Sequence, residues 1–411
     1  MSRAGGTRPP ELEVRAPRHP DEIGYANDLM AKVYYRNYYD GLQKIRLFAS
    51  GYPGNRPEYT RLAYWNGELA GTLRVTADTI RLGEARLHMG GLGWVSTAEE
   101  HRHKGIAREL ILDTLQFLRT RGFHVAMLFG IPNFYHRFGF TTTLAEYQID
   151  LATIDATAAP AHGLRIRRIK PGDVPLVQRF HNATDACTAC SLIRIAPHIS
   201  NRWDQWKEGR VLTDDRGKVV AYFVPRRTAE GLNIDEIGFQ DRSLCGPLLH
   251  ACAAMATEEV SQQIRFHAPP EHPFIQYLLQ FRSRHEMQVL RDEGGMMAFV
   301  NLGETLESMI PEWEAQVQRS ALRGLHVETT LVVDRVPYRI RAHRGALEIT
   351  PAAGQNKFSL TQPELMHLLT GYRYLDDLLA QRRRILTPES RLLLQALFPK
   401  RTPYVWQLDR F

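Results

Sequence analysis

The sequence predicts a mixed α/β (α+β) protein built from successive domains. The chain has 411 residues, where an ordinary domain takes about 150. Helix-spaced and strand-like apolar patterns alternate along it instead of separating into blocks. Residues 152–163, ATIDATAAPAHG, interrupt the pattern with an Ala-, Thr- and Pro-rich stretch that reads as a linker. Two or three domains follow, divided near 151/164 and again near 302/303.

The elements can be taken in order. MSRAGGTRPP (residues 1–10) has no apolar centre and reads as a flexible head, not a secretory signal. Ile23, Ala26, Met30 and Val33 repeat at helical spacing. Two strands, 61–65 and 68–75, flank Asn66-Gly67, a hairpin turn whose two positions need positive φ. A strand over 87–97 leads into a polar loop, 98–105. A helix then carries Ile106, Leu110, Leu115 and Leu118. A short buried strand at 124–129 and a closing strand at 141–151 complete the first unit. The second unit opens with a strand at 164–169 and a helix introduced by Pro171-Gly172-Asp173, and ends with a strand at 296–301. In the third, a helix over Leu306, Ile310, Trp313 and Val317 precedes strands near 325–333 and 338–341. Thr361-x-x-Glu364 is a capping box, and Thr387-Pro388 starts a further helix. The tail 406–411, WQLDRF, reads as extended.

Composition narrows the function classes. At 44% hydrophobic and 24% charged residues the chain is neither disordered nor collagen-like, and no apolar run reaches the ~18–20 residues that span a bilayer. The net charge is +7, but the basic residues are spread out; the densest block is Arg382-Arg383-Arg384. That disfavours a nucleic-acid binder, which needs a compact basic stripe with interleaved aromatics. Four cysteines suit a reducing cytoplasm, and Cys187-x-x-Cys190 reads as two ordinary thiols in a loop, with no metal site.

The segment that carries chemistry is GWVSTAEEHRHKGIAR, residues 93–108. A strand runs into Arg102-x-x-Gly105-x-Ala107, and a helix begins there. Small residues let a ligand approach the backbone, the free N–H groups of the helix start point outward, and the helix dipole favours an anion such as pyrophosphate. His103, Lys104 and Arg108 add positive charge.

This segment resembles the acetyl-CoA motif of the GNAT acyltransferases, Gln/Arg-x-x-Gly-x-Gly/Ala. Asn133-Phe-Tyr135-His-Arg-Phe-Gly139-Phe is similar to the tyrosine segment of the Eis-type (enhanced intracellular survival) branch. The resemblance extends over most of the chain. It implies two tandem GNAT-like domains (1–151 and 164–302) followed by a domain similar to sterol carrier protein (303–411). It implies acetyl-CoA as co-substrate and an amine acceptor: an aminoglycoside-like or polyamine compound, or a lysine side chain. Main-chain groups of Val95, Ser96 and Thr97 would hold the pantetheine arm, those of His103, Lys104, Gly105, Ile106, Ala107 and Arg108 the pyrophosphate, with Gly130 and Ile131 on the neighbouring strand. Tyr135 would be the general acid that protonates the leaving thiolate. The terminal carboxylate of Phe411 would be the general base. The resemblance further implies a homo-oligomer, a hexamer, with no nucleic-acid or membrane partner.

The second unit lacks the cofactor motif. Its nearest stretch, Arg242-Ser-Leu-Cys-Gly246-Pro247, has the wrong spacing and a proline where an N–H is needed, so one acetyl-CoA site per chain is expected. Arg410 stands where an acidic residue would suit polycationic acceptors, and Glu22 and Asp28 on the first helix read as solvated surface. The competing reading is a non-catalytic binder of acyl-CoA or an apolar ligand on the same scaffold.

Overall fold

The computed structural model describes residues 11–161, 163–382 and 386–411. The flexible head expected at 1–10 and the last two residues of the 382–384 arginine block lie outside them. Two seven-stranded sheets and one four-stranded sheet carry the fold.

The first sheet contains β1 (Leu12–Arg15), β2 (Arg61–Trp65), β3 (Glu68–Leu82), β4 (Ala85–Thr97), β5 (Val125–Gly130) and β6 (Thr141–Leu144). Around it lie α1 (Asp21–Tyr34), α2 (Tyr38–Gly51) and α3 (Ile106–Thr120). The next strand in sequence, β7 (Glu146–Ala152), belongs to the second sheet. There it joins β8 (Arg165–Arg168), β9 (Arg210–Thr213), β10 (Val219–Thr228), β11 (Gly231–Phe239), β12 (Gln263–Phe266) and β13 (Ser283–Gln288). Conversely β14 (Gly294–Phe299) returns to the first sheet.

The two orders are β1-β2-β3-β4-β5-β14-β6 and β8-β9-β10-β11-β12-β7-β13. They are the same topology with one strand exchanged each way. The single closing strand expected at 141–151 is therefore two strands, split at Ala145 between the sheets. Residues 152–163 also depart from an open linker: β7 runs to Ala152, Thr153–Ala156 form a helical turn, and Ala156 and Ala159 are buried. β14 reads GGMMAF and is buried along its centre, as suits a strand with neighbours on both sides.

In the third unit, β15 (His326–Val333), β16 (Val336–His343), β17 (Ala346–Thr350) and β18 (Lys357–Leu360) are ordered β17-β16-β15-β18. The helix expected through 306–317 is two, Leu302–Ser308 and Ile310–Arg319. Pro311 has no N–H to continue the first and suits the opening turn of the second. The Thr361/Glu364 capping box forms, with Thr361 N donating to Glu364 Oε2 at 2.8 Å.

Alternation along β3 divides the first sheet's surroundings. Leu73 and Val75 join Ile106, Leu110 and Leu118 in the core beneath α3. On the other side Met89, Met127 and Met297 join the third unit's Trp313, Leu331 and Leu365. The tail then leaves the third unit, buries Tyr404 and Trp406 in the second unit's core, and ends against the first sheet. It is not fully extended: Gln407–Asp409 form one 3-10 turn, closed by Asp409 N donating to Trp406 O at 2.9 Å.

Candidate active site

The site begins with a defect in pairing. β4 and β5 run parallel but pair only over Met89–Gly91 and Val125–Met127. Beyond that, Leu128, Phe129 and Gly130 of β5 keep their pairing with β14 on the other edge but lose β4, so β4 and β5 part and leave a wedge. The β4 rim of the wedge is bulged: its pairing with β3 shifts between Thr72 and Arg74, and Trp94 has φ +47°. Such a bulge re-aims backbone groups toward a ligand. Val95 is one of the residues so displaced, and its carbonyl accepts from Tyr34 Oη at 3.1 Å.

The expected anion loop sits at the wide end. His103 (φ +64°) and Gly105 (φ +80°) are both left-handed, a sequence of backbone conformations that turns successive N–H groups to one side. A Cβ on Gly105 would meet nothing within 4 Å, so the approach is open. The first N–H of α3 bonded to a backbone acceptor is that of Glu109, to Gly105 O at 3.1 Å. The N–H groups of Ile106, Ala107 and Arg108 are left for a ligand. Arg102, His103, Lys104, Gly105 and Arg108 are exposed. These residues fit a pyrophosphate. Ser96 and Thr97 continue the β4 rim and Gly130 ends the β5 rim. Ile131 lies beyond it with its side chain 63% exposed and forms no wall.

Tyr135 and Phe411 flank β5 on opposite faces. A Cβ on Gly130 would lie 2.5 Å from Tyr135 Cδ2, so the missing side chain lets the phenol ring rest on the strand. The neighbouring Phe129 points the other way, as alternation requires, and its ring meets Phe411 edge-on at 6.0 Å. Phe411 is seated on two more glycines. A Cβ on Gly91 would come within 2.6 Å of its ring, and one on Gly93 within 3.2 Å of its carboxyl carbon. Burial pushes the Tyr135 phenol well above its ordinary value, with Tyr34 adding to the effect. It therefore stays protonated at neutral pH.

A buried ionic cluster in the second unit holds the tail. Asp409 is fully buried and accepts from Arg194 Nε (2.8 Å) and Nη2 (3.0 Å) and from His198 Nε2 (3.1 Å). Burial alone would raise its carboxyl, but Arg194 and the two histidines His198 and His181 outweigh that and hold it well below the usual carboxylate range. Arg194 also pairs with Glu236, and Trp406 Nε1 donates to Asp185 Oδ2 at 2.6 Å. Arg410 is no free cation beside the site: it donates to Glu146 Oε2 at 2.8 Å and lies 4.6 Å over the Phe129 ring.

Glu22 is buried, contrary to the surface expectation. It accepts from Arg15, from Tyr64 Oη at 2.7 Å and from the Arg18 backbone N–H, and the Arg15 bond chiefly holds its pKa far below normal. Asp28 lines a cavity of about 450 Å³ with Tyr25, Lys32, Ala98 and Arg102, beside the anion loop. In the second unit, Gly246 and Pro247 lie inside the helix Cys245–Glu258. A Cβ at Gly246 would meet Pro160 Cγ at 2.8 Å, so that helix start is plugged where α3 is open. Cys187 and Cys190 are free thiols, Cys190 lying 3.8 Å from Met297 Sδ. Among the described residues no group of His, Cys, Asp or Glu is arranged to hold a metal, and no helix is long and apolar enough to cross a membrane.

The wedge between β4 and β5, opening beside the free N–H groups at the start of α3, lies in the part of the chain that matches an acetyltransferase family. Residues 14–143 match the acetyltransferase (GNAT) domain family. No curated protein sequence matches the chain. Among solved structures, a GCN5-related N-acetyltransferase from Anabaena variabilis superposes with TM-score 0.75 at 18% identity, covering 98% of this chain and 100% of that one. A probable N-acyltransferase from Enterococcus faecalis gives 0.75 at 14% identity, with the same coverage. Eis1 from Mycobacterium abscessus gives 0.66 at 15% identity, again over 98% and 100% of the two chains. The whole chain thus shares its fold with these proteins, and the first unit carries the acetyltransferase domain.

Proposed function

We propose that the protein transfers the acetyl group of acetyl-CoA directly to an amine, at one site per chain, in the manner of the Eis-type enzymes. The observation that carries this reading is the placement of two groups on opposite faces of the β4–β5 wedge, Tyr135 on the α3 side and the Phe411 carboxyl on the other. A donor entering from the anion loop and an acceptor entering from the opposite face would meet at the wedge.

Acetyl-CoA supplies the thioester. The backbone N–H groups from His103 to Arg108 hold its pyrophosphate, and the displaced main chain at Val95, Ser96 and Thr97 lies along its arm. An alkyl amine has a pKa near ~10.4, so only about one molecule in a few thousand is neutral at pH 7. The Phe411 carboxylate accepts the proton that the amine must lose. Partial burial against Phe129, Gly91 and Gly93 supplies the desolvation a carboxylate needs to act as a base. Tyr135 donates its hydroxyl hydrogen to the sulfur as negative charge grows there. The same reading divides the chain into two GNAT-like units and a unit similar to sterol carrier protein, assembled as a hexamer; light scattering that finds only monomer removes the assembly.

The test is a thiol-release assay on untagged protein with Tyr135→Phe and with one glycine added after Phe411. Both changes are expected to lower turnover by about a hundredfold or more while leaving acetyl-CoA affinity within about threefold. Wild-type turnover with the added glycine would remove Phe411 from the mechanism, and an unchanged rate in Tyr135→Phe would remove Tyr135.

A further inference from the structure

On β3, Arg74, Thr76 and Asp78 face away from α3, toward the side where Phe411 lies, because Leu73 and Val75 occupy the α3 side. Arg74 is the direct cross-strand partner of Gly93, the residue against which the Phe411 carboxyl carbon rests. A guanidinium and a carboxylate therefore share one face of one strand pair.

Among the described residues neither charge has an ion-pair partner. Arg74 is 1% exposed. Its Nη2 donates to Asn27 Oδ1, a neutral oxygen, and its guanidinium lies 5.3 Å over the Trp94 ring. Its Nε and Nη1 are buried without an acceptor. Burial lowers its pKa to about 10, and no acid counters that effect. Among the described residues no carboxylate comes within ion-pair distance of Arg74 and no cation within that distance of the Phe411 carboxylate. Arg194, comparably buried, is saturated by Glu236 and Asp409, whereas Arg202 shares the open Nε and Nη1 but lies over the rings of Phe48 and Tyr52. Buried donors left open on a binding face are commonly completed by the ligand.

We infer that the acceptor is an amine that carries its own carboxylate, an amino acid, held with its ammonium toward the Phe411 carboxylate and its carboxylate on the Arg74 guanidinium. This rests on the acyltransferase reading and on Phe411 facing the acceptor. The Nε–Nη2 and Nη1–Nη2 edges of a guanidinium each offer two parallel N–H donors at the spacing of carboxylate oxygens, and Asn27 takes only one of the two Nη2 hydrogens, so one edge stays open for that group. A zwitterion satisfies both unpaired charges at once, whereas a polycation would satisfy Phe411 and oppose Arg74.

The experiment compares L-amino acids, each beside its own carboxamide, and cadaverine, as acceptors in a thiol-release assay with the wild-type chain. In parallel, calorimetry measures binding of the same compounds in the presence of coenzyme A. At least one amino acid is expected to exceed its carboxamide by about ten- to hundredfold in kcat/KM, mostly through KM, because the carboxamide leaves the guanidinium unpaired. Arg74→Gln is expected to erase that preference. The wild-type comparison needs no variant, so a folding failure of Arg74→Gln leaves the test intact. Preference for cadaverine or for the carboxamides would overturn the inference while leaving the acyltransferase reading in place. If no amine turns over and acetyl-CoA does not bind, the acyltransferase reading falls, and the calorimetric comparison of amino acid with carboxamide still decides the role of Arg74: equal or absent binding overturns it.

Discussion

Asp409→Asn isolates the tail clamp from the rest of the site. The substitution keeps the shape and one acceptor oxygen but removes the charge that Arg194 and His198 share, at 2.8–3.1 Å and with no exposed surface. Breaking one side of a buried, hydrogen-bonded ion pair costs about 3–5 kcal/mol. The Trp406–Asp185 bond and the Phe411 seat remain, so the loss falls chiefly on docking of the last residues. At about 1.4 kcal/mol per tenfold, the ratio of docked to undocked tail drops by roughly two to three powers of ten. A carboxypeptidase selective for aromatic ends reads this directly, because slow cleavage tracks the population of the open form. Phe411 release is expected to quicken by at least about tenfold, and amine-dependent thiol release to fall in parallel. Acetyl-CoA affinity should stay within about threefold. Arg410→Gln is the comparison: it removes a half-buried pair with Glu146, worth about 1 kcal/mol or less, so its effect should be several-fold at most. Release of Phe411 at the wild-type rate in Asp409→Asn, or an equal loss of acetyl-CoA binding, would refute the view that this cluster positions the tail.

Two further outcomes follow from the same geometry. Gly91→Ala places a Cβ 2.4 Å from Thr76 Oγ1 and 2.6 Å from the Phe411 ring. It should cost about 1–3 kcal/mol in thermal stability and lower kcat more than acetyl-CoA affinity; a neutral result in both would mean that Phe411 is not seated there. Burial pushes the Asp78 carboxyl up to about 7, against the attraction of Tyr52 and Thr76. Its folded pKa exceeds its unfolded one, so its stability contribution is complete below about pH 4 and is lost as pH rises toward 7. Asp78→Asn should therefore raise Tm at pH 8 relative to wild type and flatten the fall in Tm between pH 4 and 7. Parallel pH profiles would contradict that environment.

The anion loop was legible because its signal is local: Arg102, Gly105 and Ala107 sit between a strand and a helix, and the structure gives them that setting. Tyr135 and Phe411 were nominated by resemblance, and their residue types alone would have read as core and tail. The rest was hidden for physical reasons. Strand exchange leaves no mark on β7 or β14, whose apolar patterns satisfy either sheet equally. The apolar series of α2, Leu42, Ile45 and Phe48, is short and interrupted by polar neighbours, so it does not stand out in the sequence. Glu22 and Asp409 look like surface acids until partners 7 and 215 residues away reach them. Arg74 is one of two arginines on β3, and its place beside the tail is invisible without its register to Gly93. One signal was available: Gly90, Gly91 and Gly93 together weaken a strand and mark close approach of other groups. The structure puts Leu118 against the first and Phe411 against the other two.

The central claim is that the wedge between β4 and β5 binds acetyl-CoA through the loop at Gly105. Calorimetric titration of the untagged chain with acetyl-CoA tests it, beside a variant with Arg102→Ala and Gly105→Val. Gly105 is left-handed and open, so a β-branched residue there forces the loop to change without disturbing the core. Saturable binding at one site per chain, lost in the variant whose Tm is otherwise kept, is the predicted result. No binding at millimolar acetyl-CoA, or equal binding by both proteins, would contradict it.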